Sequence, residues 1–253
     1  MLFTDFAFIG ITPNTSRKSF AYAALDRNLN LLALVEGELN EIVAFIADRN
    51  FAIVAINSPS SINRGLVREL TKKKTLTPAQ VRRVELRLAE HIMREHGIAV
   101  TKTPASAALC PAWMQAGLEL YRKLEKMEFQ KYPEKDAPRQ ILETNPLAGY
   151  SVLVGQLPAA RTSLEGRLQR QLILYESGMR VKDPMDFFEE ITRHKMSKGI
   201  WPVELLYLPD QLDALVAAYT AWLAMERQNQ ISCVGDAREG QIFVPAAELK
   251  DKY

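Results

Sequence analysis

Apolar residues enter this chain in short unbroken runs and only later at helical spacing. Residues 6–11 are apolar throughout, which predicts a short strand covered on both faces. Two further runs, 18–25 and 29–35, are separated by Asp26-Arg27-Asn28. That is turn chemistry, so the pair predicts a hairpin and the first three strands a meander. Over 39–49 the apolar positions Ile42, Val43, Phe45 and Ile46 predict an amphipathic helix, and 51–56 is a fourth strand rich in β-branched residues and alanine. Meander, helix and strand together open an α/β domain.

The period then lengthens. Thr77, Pro78 and Gln80 form a helix start, and the apolar stripe Val81, Val84, Leu88, Ile92 carries the predicted helix to His96, with Gly97 as its stop. Glu85 falls inside that stripe. Residues 113–129 predict a second helix, 132–139 a polar loop, and 140–144 a fifth strand ending at Glu143 before Asn145-Pro146. Thr162 and Glu165 make a capping box for a helix ending near Gly178, and Asp183-Pro184 opens another through His194. The last helix, starting around Pro209, has Leu212, Leu215, Val216, Tyr219 and Leu223 at helical period, with alanines filling the remaining faces. A helix apolar nearly all round is buried on most sides, and its alanines permit close approach to a sheet. Asp210 and Asp213, three apart, share one face at its start.

Composition narrows the class. The chain has 253 residues, 47% hydrophobic and 25% charged, enough for a sizeable core. A net charge of +2 makes the whole molecule no magnet for nucleic acid or membrane. Charge is uneven, however: Arg64, Arg68, Lys72, Lys73, Lys74, Arg82, Arg83 and Arg87 face only Glu69 and Glu85 between 64 and 87. This segment of net +6 can grip phosphates, or serve simply as a solvated face. No aromatic residue is interleaved in it, so base stacking is not expected there. Two cysteines, Cys110 and Cys233, make neither a disulfide framework nor a zinc site, and a cytoplasmic protein is expected. The N-terminal MLFTDFAFIG lacks a basic n-region, and no uncharged apolar run reaches membrane-spanning length.

Among chemistry-bearing residues the carboxylates stand out. Glu143 at a strand end and Asp210 and Asp213 at a buried helix start would repel if brought together, unless a divalent cation neutralised them. Each also has a bland reading: Asp210 as a helix-start acid facing the dipole, Asp213 as a compensated buried charge, Glu143 as a surface strand end, Glu85 as the partner of a nearby arginine. His91, His96 and His194 have no metal-ligand spacing and read as surface or structural. There is no nucleophile elbow and no glycine-rich phosphate loop; the turn Thr12-Pro13-Asn14-Thr15-Ser16 argues against a P-loop or actin-like ATPase.

Seven segments in order resemble one family: FIGITP, VAINSPSS, RRVELR with Trp113, Gly117 and Leu124, LETNP, SLEGRLQRQLIL, DQLDALVAAYTA and EGQIFVP. Together they are similar to the family catalogued as domain of unknown function 429, predicted nucleases with a ribonuclease H-like fold. The resemblance covers nearly the whole chain. It implies a single α/β domain over 1–253: a mixed sheet with an antiparallel three-strand meander plus parallel strands, flanked by helices, with a mainly helical insertion at about 64–138. It implies a carboxylate site where strand one, strand four and the last helix converge, holding Mg²⁺ or Mn²⁺ for phosphodiester hydrolysis. Fold alone does not give that activity.

This sequence departs from the pattern at two places. The first-strand acid is replaced by Thr12 and the fourth-strand acid by Asn57, leaving Glu143, Asp210 and Asp213 as the charged metal ligands. Neutral oxygens offer a dication no charge, so the resemblance implies weak or absent hydrolysis. Two readings compete: a nuclease with a reduced site (Thr12, Asn57, Glu143, Asp210, Asp213), and a non-catalytic module binding nucleic acid or protein through the basic segment. A small-molecule phosphate site is a third reading, and a homodimer is a candidate assembly.

Overall fold

The structure is a computed structural model and describes residues 6–14, 19–71, 84–192 and 198–253. Its centre is one mixed sheet. Strands β1 (Phe6–Pro13), β2 (Phe20–Leu25) and β3 (Leu31–Gly37) form the antiparallel meander. On the other side of β1 lie β4 (Phe51–Ile56) and β6 (Arg139–Thr144), both parallel to it. A C-terminal hairpin, β7 (Ser232–Asp236) and β8 (Gly240–Val244), completes the order β3-β2-β1-β4-β6-β8-β7. The two-residue β5 (Gln130–Lys131) pairs with Gln140 and Ile141 of β6, and β8 takes over at Glu143 and Thr144. This is the α/β mixed sheet that the family resemblance implied, and it contains the antiparallel meander that the pattern of runs predicted.

Helices cover both faces, which is why the strands read as unbroken apolar runs. Residues alternate along β1: Phe8 belongs to one core with α8 (Pro209–Glu226), while Ile9 and Ile11 belong to a second core with α1 (Leu39–Ala47) and α4 (Ala112–Lys126). Gly10 marks where α8 crosses β1. A Cβ there would lie 2.0 Å from the Ala214 carbonyl oxygen and 2.2 Å from the Ala218 nitrogen, so glycine on the strand and alanines on the helix allow backbone-to-backbone contact. Among the described residues no helix is long and apolar enough to cross a membrane.

The stretch between β4 and β6 contains α2 (Leu66–Thr71), α3 (Leu88–Glu95) and α4. The helix expected over 77–96 is shorter. Residues 84–87 are non-helical and the helix begins at Leu88; Thr77 to Arg83 lie outside the described residues. The reason is capture of the backbone: Glu90 accepts from the Arg87 N–H at 3.1 Å and Glu239 from the Leu88 N–H at 2.9 Å, so two carboxylates satisfy donors at this terminus. Glu85 therefore faces solvent beside Lys102 rather than lying in a helical stripe.

Beyond β6, Asn145 caps α5 (Pro146–Val154) by accepting from the Ala148 N–H at 3.0 Å; no helix was expected there. The cap of α6 (Leu164–Glu176) is Ser163, not Thr162: its Oγ accepts from the Gly166 N–H at 3.0 Å. Helix α7 (Met185–Glu190) ends before the expected His194, which lies outside the described residues. Five-residue strands β7 and β8 were too short to announce themselves by period.

Candidate functional site

The C-terminal ends of β1, β4 and β6 meet the N-terminus of α8 at a cavity of about 420 Å³. Thr12, Asn57, Glu143, Asp210 and Asp213 all line it, so residues up to 201 positions apart come to one place. Parallel neighbours β1 and β4 bring the first two together, and α8, seated on Gly10, delivers the aspartates one turn further on.

Strand alternation divides the set. Thr12 follows Phe8 and Gly10, and Asn57 follows Ile53 and Ala55, onto the face covered by α8. Glu143 follows Ile141 onto the opposite face, beside Tyr121 of α4. Glu143 and Asp213 thus approach the cavity from different sides of the sheet edge.

Each carboxylate is closed on a guanidinium. Arg161, in the loop before α6, donates from Nε to Asp213 Oδ2 at 2.8 Å and from Nη2 to Asp210. Gly166 permits this loop position, since a Cβ there would meet the Ala160 carbonyl oxygen at 1.9 Å. Asp213 is 6% exposed. Burial pushes its carboxyl up to about 6, against the pull of Arg161 and Arg170. Arg170 is itself buried; its Nη1 donates to the carbonyls of Ala159 and Gly166, both at 2.9 Å, and its guanidinium lies over the Tyr150 ring. Burial lowers its proton affinity.

On the other face Arg87 is 1% exposed. It donates to both Glu143 oxygens, from Nε to Glu90 Oε1 at 2.9 Å, and from Nη1 to the Glu239 carbonyl at 3.2 Å. Burial works against its charge, but Glu143 and Glu90 more than offset this and hold the guanidinium protonated well above its usual range. Ser60 completes Glu143, donating from its N–H and its Oγ, both at 2.8 Å. Glu239 is fully buried and accepts from the N–H groups of Arg64 (2.5 Å), Gly65 (2.9 Å) and Leu88, tying both ends of the 64–88 stretch to the β7–β8 turn. In that turn Gly240, at φ +101°, leaves no room for a Cβ beside Arg87 and Glu143.

The family described as "Protein of unknown function (DUF429)" matches residues 14–239, from the turn after β1 to the β7–β8 turn. The chain belongs to the DUF429 family. No curated protein matches it.

Three residues that organise this DUF429 site were not singled out in the sequence: Arg161, Glu90 and Glu239. Arg161 lies in a loop with no motif. Glu239 stands in the EGQIFVP segment, which carried the family resemblance but no role for its glutamate. Arg87, expected among phosphate-gripping cations, is sequestered by Glu143 and Glu90 and presents no charge to a ligand. Of the same basic group, Arg64 and Arg68 are exposed and line a groove with Lys102, while Lys72, Lys73, Lys74, Arg82 and Arg83 lie outside the described residues.

The donor set fits a dication poorly. Mg²⁺ needs anionic oxygens free to replace water in near-octahedral geometry. Here Asp210 and Asp213 carry Arg161, Glu143 carries Arg87 and Ser60, and Thr12 and Asn57 add no charge. No group of three or more His, Cys, Asp or Glu with metal-holding geometry occurs among the described residues.

Proposed function

We propose that this protein is a non-hydrolytic ribonuclease H-like module that binds nucleic acid, with the metal-dependent cleavage expected of that fold weak or absent. The observation that carries the reading is the closure of every carboxylate of the cavity on an arginine, with Thr12 and Asn57 neutral where two acids would complete a two-metal site. A guanidinium bridging two aspartates occupies the position and supplies the charge that a dication otherwise would. The exposed Arg64 and Arg68, within a segment of net +6, offer the phosphate-binding surface.

The test combines three measurements on the full chain. Calorimetric titration with Mn²⁺ and Mg²⁺ should show no binding attributable to Asp213, so that Asp213→Asn changes nothing. Labelled RNA and DNA should remain uncut with either metal. Single-stranded oligonucleotides should bind with an affinity that falls steeply with salt, and Lys72→Ala/Lys73→Ala/Lys74→Ala should weaken all sequences alike. Cleavage by wild type that Asp213→Asn abolishes would instead establish a working reduced site, in which metal displaces Arg161.

A further inference from the structure

We infer that the cavity at the sheet's C-terminal edge takes an unstacked nucleobase with its sugar, laid against the Trp113 indole and read by Asn57, Thr12 and Asn145. This rests on the nucleic-acid reading only for the source of the base; the cavity's chemistry stands apart from it.

Charge decides first what the cavity does not take. Three arginines (87, 161 and 170) and four carboxylates (Glu90, Glu143, Asp210 and Asp213) line it. Arg87 and Arg161 are bonded to carboxylates and Arg170 to backbone carbonyls, so no surplus positive charge awaits a phosphate. The carboxylates are equally engaged, so none awaits a cation.

The unpaired groups are uncharged. Thr12 is 2% exposed, and its Oγ1 has no hydrogen-bond partner among the described residues. A buried hydroxyl left unpaired is costly, and it points to a ligand that pairs with it. The Asn57 carboxamide at the end of β4 has no side-chain partner among the described residues. Asn145 uses Oδ1 to cap α5, and its Nδ2 donates to no group among the described residues. Trp113, half-buried at the start of α4, forms one wall. A planar wall with amide and hydroxyl groups is the chemistry that stacks a base and reads its polar edge. A volume of about 420 Å³ lies within the range of small-molecule sites. The segment 99–105 joins this cavity to the groove of Arg64, Arg68 and Lys102, where the phosphates of a strand would lie while one base turns in.

The experiment titrates the full chain calorimetrically with the four ribonucleosides, with glucose, with single-stranded RNA and DNA, and with an abasic oligonucleotide of equal length. Nucleosides or base-bearing strands should bind, and Trp113→Ala should weaken them about 5- to 150-fold, the range of one base–aromatic stack, with Trp113→Phe restoring most of the loss. Thr12→Val gives an independent signature: it should weaken the ligand while raising the melting temperature of the free protein, because the unpaired hydroxyl is gone. Oligonucleotide binding that is equal with and without bases, and indifferent to Trp113→Ala, would overturn the base site and leave the nucleic-acid reading standing. Nucleoside binding without strand binding would keep the base site and sink that reading. Glucose binding as tightly as any nucleoside, or no binding by any probe, would overturn the inference.

Discussion

Replacing Asp213 by asparagine should make the protein's stability depend less on pH, in a calculable direction. Burial raises the Asp213 carboxyl from 3.8 to about 6 in the folded state despite its bond to Arg161. Well below pH 3.8 the group is protonated whether the chain is folded or not, and burial of the neutral acid is tolerated. As pH rises through 4 to 6 the unfolded chain releases its proton first, so folding becomes less favourable by about 1.4 kcal/mol per unit. Above pH 6 the full cost, about 3 kcal/mol, is in place. Asparagine does not titrate. The stability of Asp213→Asn relative to wild type should therefore climb by about 2.5 kcal/mol between pH 4 and pH 7 and stay nearly level above it. Urea unfolding of both proteins at half-unit steps from pH 4 to pH 8 reads this difference directly, and titrating groups not coupled to Asp213 cancel. A difference that does not change with pH, or that shrinks as pH rises, would refute the argument. It would mean that Arg161 outweighs burial and holds Asp213 ionised at no cost.

Gly10→Ala should cost about 3 kcal/mol or more, at the upper end for overpacking, because the clash is with α8 backbone that can only move as a helix; a thermal melt within a degree of wild type would contradict the contact. Arg87→Met leaves Glu143 and Glu90 buried without their cation and should destabilise by about 3–5 kcal/mol in urea, whereas a change below 1 kcal/mol would show the pair to be solvated. Glu239→Gln removes one acceptor oxygen and the charge that hold two helix starts, and should cost about 2–4 kcal/mol. Amide exchange should quicken first at Arg64, Gly65 and Leu88; unchanged protection at those three would refute the hub.

What the sequence determined by itself is periodic or local. Runs such as 51–56 specify strands covered on both faces, alternation and turn chemistry specify the meander, and the alanine-filled helix at 209–226 specifies close packing on a sheet, because these signals are properties of consecutive side chains. The places of Thr12 and Asn57 at strand ends were legible for the same reason. Partnership was not. Arg161 meets Asp210 and Asp213 across 49 and 52 residues, Arg87 meets Glu143 across 56, and Glu239 reaches donors 151 to 175 residues away. No period encodes such pairings, since they follow from register, face and loop path once layers have packed. The carboxylates that look like one metal cage along the chain line one cavity but enter it from opposite faces of the sheet, because Glu143 follows Ile141 to one side while α8 brings Asp213 to the other. Even the start of α3 was a tertiary decision: an apolar stripe extends before Leu88, but carboxylates from Glu90 and a hairpin 151 residues away claim the backbone donors there. A helix begins where its first N–H groups find partners, and here one of those partners comes from the far end of the fold.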